Sequence, residues 1–237
     1  MALKKITLRI LRYKPGHIDP PRYQEFSLEA DPDMSVLDAL ETIRLKQDST
    51  LIYRHSCHHS SCGTCACKIN GRARLTCSTK IKDLKTSPIT LVPLDGFKPI
   101  GDLVVDIAPL YDNISEDWSY LKKADNVKSS QKPASIIQYT RFENCIECGV
   151  CVSACPVTRK NMGFVGPAAL AALSNELKKS PQKSENLLSV AGNEKGERLC
   201  DRALNCSRVC PTQVYPAKHI ADLRKILEDT DLDREIK

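Results

Sequence analysis

The stretch NCIECGVCVSACPV, residues 144–157, decides how the rest of the chain is interpreted. Its four cysteines follow the spacing C-x2-C-x2-C-x3-C, and a proline comes directly after the last of them. A second stretch, LCDRALNCSRVCPT at residues 199–212, has the same spacing, but Ala203 stands where the second cysteine is expected. The chain therefore contains two copies of one cysteine pattern, and the second copy is incomplete.

The repeated pattern is typical of bacterial ferredoxins with two cubane clusters, in which the fourth cysteine of each run ligates the other cluster. Crossing the ligands in this way leaves one complete set of four thiolates for a [4Fe–4S] cluster: Cys145, Cys148, Cys151 and Cys210. The other set has three members: Cys155, Cys200 and Cys206. Because the methyl group of Ala203 cannot bind iron, this set predicts a [3Fe–4S] cluster. A [4Fe–4S] cluster with a ligand from outside the chain is the alternative.

A third cysteine pattern lies in RHSCHHSSCGTCACKINGRARLTC, residues 54–77. Its spacing, C-x4-C-x2-C-x11-C, is the plant-type [2Fe–2S] arrangement. Small residues such as Gly63 would let the backbone approach a cluster closely and point N–H groups at its sulfurs. The predicted ligands of this cluster are Cys57, Cys62, Cys65 and Cys77.

Two other kinds of site are less well supported by these residues. A structural zinc site prefers paired C-x2-C knuckles, and only Cys62–Cys65 forms one. A Rieske site needs two histidine ligands, and no C-x2-H motif follows Cys77. His58 and His59 are therefore predicted to be loop residues; if they have a function, it would be to tune a cluster potential or to meet a redox partner. Cys67 is predicted to have a small, buried apolar role.

Composition excludes several classes of protein. Twelve cysteines among 237 residues favour thiolate clusters, because disulfide frameworks belong to short secreted chains. The first residues, MALKKITLRI, lack the apolar core of a secretory signal, so we expect a reducing compartment. No apolar run approaches the roughly 20 residues that cross a bilayer. The net charge is +6, but aromatic residues make up only 5%, which argues against nucleic-acid binding.

Hydrophobic periodicity predicts an α+β protein with a β-grasp domain at residues 1–105. Its elements are a strand at Lys4–Tyr13, a turn at residues 17–21 (HIDPP), a strand at Tyr23–Leu28 and a helix capped by Ser35. Later strands are predicted at Cys65–Ile69, Ala73–Thr76 and Ile89–Pro93. Residues 96–106 are the expected boundary between the domains.

The second domain, residues 106–237, is predicted to be mostly helical and similar to bacterial ferredoxins. Pro167 can occupy the first turn of a helix over residues 168–179. Residues 180–199 are expected to be a loose connection, and Ala217–Leu227 a last helix. Residues 122–132, KKADNVKSSQK, are interpreted as an exposed connector, with a docking arm for a partner as the alternative.

Taken together, these motifs resemble the iron–sulfur subunit of succinate dehydrogenase and fumarate reductase, respiratory complex II. The resemblance covers nearly the whole chain and includes FVGPAALAAL at residues 164–173. It implies an electron relay from FAD on a flavoprotein subunit, through the three clusters, to quinone at a membrane anchor. FAD and quinone would belong to the partner subunits, and haem content stays open. The chain would lie peripherally on the cytoplasmic face of the inner membrane, without spanning it.

The resemblance also implies which partner each cluster faces. The loop from Cys57 to Cys77 would face the flavoprotein, and the cluster of Cys155, Cys200 and Cys206 would face the quinone. This chain departs from the family near the quinone: Arg159 and Lys160 stand where tryptophans are common, and Ser207 where histidine is common. The family's quinone pocket is therefore not carried over to these residues.

No catalytic constellation for bond chemistry stands out, so substrate oxidation is expected on a partner. The first hypothesis is the iron–sulfur subunit of succinate:quinone oxidoreductase. The alternatives are a quinol:fumarate reductase subunit working in reverse and a freestanding multi-cluster ferredoxin. A subunit of a thiol-dependent fumarate reductase or heterodisulfide-type complex would usually carry CCG motifs, and none occurs here.

Overall fold

The computed structural model describes residues 3–114, 145–160, 163–180 and 184–235. The chain divides into two compact units, the first of which combines Met1–Ile107 with Ile146–Ala154. The second combines Ala108–Cys145 with Cys155–Lys237. The expected domain limits, 1–105 and 106–237, stay a prediction. The expected connector at residues 122–132 lies outside the described residues.

The first unit is built on a five-stranded mixed sheet with the order β2-β1-β5-β3-β4. Its strands are β1 (Lys4–Lys14), β2 (Ile18–Ala30), β3 (Ala66–Ile69), β4 (Arg72–Leu75) and β5 (Ile89–Val92). β1 pairs antiparallel with β2 and parallel with β5, and β3 pairs antiparallel with β4 and β5. A short hairpin follows, formed by β6 (Pro99–Gly101) and β7 (Val104–Val105).

Helix α1 (Val36–Lys46) packs its apolar side into the core of this unit. Ser35 caps the helix as predicted, because its hydroxyl accepts from the Asp38 N–H at 3.1 Å while Asp38 accepts from the Ser35 N–H. The alternation predicted for β1 places Leu8 and Ile10 in the core, where both are completely buried. Mixed sheet and helix together confirm the β-grasp expectation.

The turn predicted at residues 17–21 is wrong. Pro20 and Pro21 lie inside β2, and the reversal comes earlier, at Gly16, where the His17 N–H donates to the Lys14 carbonyl at 2.9 Å. Proline fits because β2 is the edge strand, so its missing N–H removes no bond from a central ladder. The β1–β2 register also shifts opposite this segment.

The described part of the second unit is helical. It contains α2 (Ala108–Asp112), α4 (Pro156–Lys160), α5 (Gly166–Lys179), α6 (Ser184–Gly192), α7 (Asn205–Arg208) and α8 (Pro216–Glu235), while α3 (Val150–Ala154) belongs to the first unit. Helices α5, α6 and α8 share an apolar core that includes Leu170, Leu173, Leu187, Ile220 and Leu223. None of the helices in the described residues is long and apolar enough to span a bilayer.

The helices of the second unit differ from the predicted ones in their bounds and in number. The helix after Pro167 begins at Gly166, with the proline in its first turn, and the last helix is longer than predicted. The loose connection expected at residues 180–199 is wrong, because α6 occupies part of it. Leu187 and Ala191, four residues apart, face the core on one side of that helix.

Candidate metal centres

The first cysteine loop surrounds the Cys57 sulfur with backbone N–H groups. The N–H groups of Ser61, Cys62 and His59 donate to Cys57 Sγ at 3.2, 3.3 and 3.5 Å. The His59 N–H is the largest of the influences that lower the pKa of Cys57 to about 7. Since the thiolate is the form that binds metals, this loop prepares Cys57 for ligation.

A hairpin brings the other end of this pattern back to the loop. Cys65 directly precedes β3, and Cys77 lies in the short 3-10 turn that follows β4. The Thr76 N–H donates to the Cys65 carbonyl at 3.2 Å, and the Ser60 hydroxyl lies 3.8 Å from Cys77 Sγ. Burial raises the pKa of Cys65 above its ordinary value. Cys65 and Cys77 are thus buried sulfurs on neighbouring strand ends.

The cysteine loop is in close contact with the segment that carries Cys148. Gly63 has φ +71°, and a Cβ built there would lie 2.7 Å from Cys148 Cβ and 2.8 Å from the Ile146 carbonyl oxygen. Both partners belong to the first unit. The sequence predicted close backbone approach at Gly63, but toward a cluster; the contact with Cys148 was missed because it joins residues far apart in the chain.

Residues 146–154 are fixed within the first unit by several contacts. The Ser153 hydroxyl accepts from the Asp95 N–H at 2.8 Å, and Val150 is completely buried. Gly149 has φ +73°, and an added Cβ would lie 3.1 Å from the Phe97 ring. Cys148 and Cys151 are therefore held by the first unit, while Cys145 and Cys210 belong to the second.

In the second unit, Cys210 and Cys145 border a small apolar cluster made by Ala171, Ala172 and Val214. The Val214 N–H donates to Cys210 Sγ at 3.3 Å. A sulfur that accepts backbone N–H donors next to apolar side chains is the environment expected of a cluster thiolate.

The remaining three predicted ligands line one cavity of about 300 Å³ in the second unit. Cys155, Cys200 and Cys206 all border it, and Ala203 borders it as well. Burial, followed by the charges of Cys155 and Cys200, raises the pKa of Cys206 to about 11. The three cysteines thus surround one cavity, and the methyl group of Ala203 also lines it.

Charged side chains surround the same cavity. Arg202, Arg224 and Lys225 line it together with Asp201 and Glu228. Sequence reasoning missed Arg224, because no motif marks it; it reaches from α8 to Glu197 and donates to the Cys200 carbonyl at 3.3 Å. Glu197 is only 3% exposed, so this ion pair anchors the loop that carries Cys200.

The residues at which the chain departs from the resembled family lie in different places in the second unit. Arg159 and Lys160 are exposed at the end of α4 and do not line the cavity. The Ser207 hydroxyl accepts from the Ala217 N–H at 2.9 Å, in the first turn of α8. Cys67 is 2% exposed in the core of the first unit, as predicted.

A β-grasp unit with a cysteine loop and a helical unit with ferredoxin-type cysteine runs define an iron–sulfur protein of the multi-cluster class. Residues 7–112 match the family model described as a 2Fe-2S iron-sulfur cluster binding domain. Residues 141–214 match the model described as a 4Fe-4S dicluster domain.

Relatives of full length give the family. The "Fumarate reductase iron-sulfur subunit" of Wolinella succinogenes is 31% identical over 94% of this chain and 97% of its own. The protein of that name from Mycobacterium tuberculosis is 31% identical over 91% of this chain and 90% of its own. The chain belongs to the family of iron–sulfur subunits of fumarate reductase and succinate dehydrogenase, which are parts of oxidoreductase complexes.

A solved structure supports the fold. The chain is similar to one in "Mycobacterium smegmatis Sdh1 complex in the apo form", with a TM-score of 0.79 and 22% identity. The similarity covers 97% of this chain and 98% of that one. The two-part arrangement of β-grasp and helical ferredoxin-like regions is therefore that of a known fold.

Proposed function

We propose that this chain is the electron-transfer subunit of a succinate:quinone oxidoreductase. It would connect the FAD of a flavoprotein subunit with quinone at a membrane-anchor subunit, on the cytoplasmic face of the inner membrane. The observation that carries the proposal is the cavity at which three cysteines and Ala203 meet, since that composition suits a three-iron centre.

Three ligand sets follow from this proposal. The [2Fe–2S] ligands are Cys57, Cys62, Cys65 and Cys77, and the [3Fe–4S] ligands are Cys155, Cys200 and Cys206. The [4Fe–4S] ligands are Cys145, Cys148, Cys151 and Cys210. Support comes from N–H donors at Cys57 and Cys210 and from the cavity volume at Cys206. When bound, the clusters supply one-electron transfer, which needs no acid–base residue on this chain.

The protein's own residues hold, orient and shield these centres. Phe164, Val157 and Ile220 form apolar walls of the cavity at Cys206, and such walls limit water and thereby tune a cluster's potential. Arg224 fixes the Cys200 backbone. Burial raises the pKa of Cys200, and the positive charge of Arg224 opposes this rise. Gly63 lets the [2Fe–2S] loop approach Cys148 without an intervening side chain, which shortens the path between two of the proposed ligand sets.

The opposite direction, quinol:fumarate reduction, is the second candidate. The relatives from Wolinella succinogenes and Mycobacterium tuberculosis are both named as fumarate reductase subunits, which favours it. The same ligand sets serve both directions, because direction depends on the potentials of the two substrates. Steady-state rates of succinate oxidation and fumarate reduction by the native complex separate the two candidates.

Native co-purification tests the proposal against a freestanding ferredoxin. A tagged chain, isolated in mild detergent from its own cells, is expected to bring a flavin-containing subunit and an apolar anchor subunit in equal amounts. The same preparation without detergent is the control, and should lose the anchor. Isolation as a well-behaved monomer under both conditions would contradict the proposal.

A further inference from the structure

Outside the cysteine patterns, the first unit brings two histidines and one glutamate together. His55 Nδ1 lies 3.1 Å from His58 Nε2, and Glu41 Oε1 lies 3.7 Å from each of these nitrogens. Among the described residues, this is the group whose side-chain ligand atoms gather closely enough to hold a metal ion. None of these three side chains is a predicted cluster ligand.

The three side chains come from two parts of the fold: Glu41 from helix α1, and His55 and His58 from the cysteine loop. Glu41 lies on α1 directly after Leu40, which is only 1% exposed. Because the buried side of the helix is fixed in the core, the position of Glu41 is fixed as well. His55 lies with its ring centroid 5.5 Å from that of Tyr53. His58 adopts φ +61°, a conformation that costs an L-residue about 1–2 kcal/mol.

Only one of the three distances fits a hydrogen bond, the 3.1 Å between His55 Nδ1 and His58 Nε2. A hydrogen bond has a donor–acceptor distance of roughly 2.7–3.2 Å, so the 3.7 Å separations from Glu41 are too long. Ligands about 2.0–2.1 Å from a tetrahedral zinc ion lie about 3.3–3.4 Å from each other. The three observed separations, 3.1, 3.7 and 3.7 Å, bracket that value.

We propose that Glu41, His55 and His58 form a binding site for a divalent transition-metal ion of the zinc class. Two imidazoles and a carboxylate are the donors that such ions prefer. The side chains of Glu41, His55 and His58 are 32, 36 and 42% exposed, so an ion can enter from solvent. Three protein ligands leave a fourth position open for water or a partner's side chain.

The site has a consequence for electron transfer that rests on the proposed function. His58 directly follows Cys57 in the chain, and consecutive Cα atoms are about 3.8 Å apart, so one ligand of the ion is the chain neighbour of a proposed [2Fe–2S] ligand. A bound dication adds positive charge there and favours the reduced cluster. Occupancy of the site should therefore shift the [2Fe–2S] reduction potential upward, whereas the other two centres should shift less.

Cobalt(II) titration of the full, cluster-loaded chain tests the site. We expect a single Co²⁺ to bind with the strong visible d–d absorption of tetrahedral cobalt, without a thiolate-to-cobalt charge-transfer band, and Zn²⁺ to displace it. Glu41→Gln and His55→Ala should each weaken binding at least about 100-fold, since even outer-shell substitutions cost 10- to 100-fold. His17→Ala, at an exposed histidine in the β1–β2 turn, is the matched control and should bind like the wild type.

Two results would overturn the site. One is the absence of tetrahedral cobalt in the wild-type chain, and the other is equal binding by the wild type, Glu41→Gln and His55→Ala. Loss of cobalt binding only in the two ligand variants supports the site, whatever happens to the cluster potential. Failure of the relay proposal would instead appear as isolation without the flavin-containing and anchor subunits, in a cluster-loaded chain that still binds cobalt in this way, so the two failures are distinguishable.

Discussion

Gly63 shows how a single residue can join two cysteine patterns. Its φ of +71° is a conformation that glycine adopts at little cost. The space where a Cβ would stand is filled by the Cys148 side chain and the Ile146 carbonyl. Gly71 provides a natural comparison, because its φ is +79° and no atom lies within 4 Å of an added Cβ.

Alanine substitutions at these two glycines separate the cost of a positive φ from the cost of a steric clash of the added Cβ. Gly71→Ala should lose about 1–2 kcal/mol in the free energy of unfolding, the cost of a Cβ at positive φ. Gly63→Ala should lose about 1–3 kcal/mol more, because overpacking against backbone has no flexible neighbour to yield. Urea denaturation of the loaded chain measures both. Equal losses would show that the contact of Gly63 with Cys148 does not constrain the loop.

Residues of this kind mark the limit of prediction from the sequence. Cysteine spacing predicts three ligand sets, because the ligands of a cluster are close in the chain or repeat a pattern, and the structure places Cys155, Cys200 and Cys206 around one cavity. Ala203 was likewise visible as a gap in that pattern. The roles of Arg224 and Gly63 were not, since each depends on a neighbour far away in the chain.

At the scale of elements, α8 packs against α5 through an apolar stripe that also buries a histidine. His219 on α8 is 8% exposed, and its Nδ1 lies 3.2 Å from the Ser174 hydroxyl on α5. Burial, followed by the charge of Lys178, lowers the pKa of His219 to about 4. Asp222 and Lys218 also act on it, and Asp222 is paired with Lys178 at 3.1 Å.

This histidine predicts acid sensitivity of the second unit. Unfolded histidine binds a proton near pH 6.5, while folded His219 does so only near pH 4. The unfolded state therefore binds more protons in that window, and stability falls as the pH is lowered through it. Within this window the free energy of unfolding changes by about 1.4 kcal/mol per pH unit. It should therefore fall by about 2 kcal/mol between pH 7 and pH 5.

His219→Gln is the matched variant for this prediction. It keeps a polar side chain near Ser174 but cannot titrate, so its unfolding free energy should depend less on pH than that of the wild type. Urea denaturation at pH 7 and pH 5 gives the difference, and any acid lability of bound clusters affects both proteins alike. Parallel curves for the two proteins would refute a role for His219.

Element prediction succeeded where the hydrophobic period was clear and failed where tertiary position decided. β1 and α1 have regular buried positions and were predicted from that period. α5 is buried at every position from Gly166 to Glu176 and was predicted from Pro167 and its leucines. Pro20 and Pro21 argue for a turn until the edge position of β2 is known. α6 was missed because its polar residues hide a short stripe consisting of Leu187 and Ala191.

For the whole molecule, two cysteine-bearing units belong to one family of oxidoreductase subunits. The first holds the loop at Cys57 and the segment with Cys148, and the second holds the cavity at Cys206. Repeats and motifs in the sequence predicted both kinds of unit. The assignment of residues 146–154 to the first unit was not predictable, because it follows from contacts with Gly63 and Phe97 rather than from chain order.

The proposed division of eleven cysteines into sets of four, four and three is tested most directly by low-temperature EPR of the air-oxidised native complex. An oxidised three-iron cluster is paramagnetic, whereas an oxidised [4Fe–4S] cluster of ferredoxin type is not. The wild type should show a [3Fe–4S] signal close to one spin per chain, and Ala203→Cys should lose most of it while iron content rises. Absence of the signal from fully iron-loaded wild type, or an unchanged signal in Ala203→Cys, would contradict the assignment.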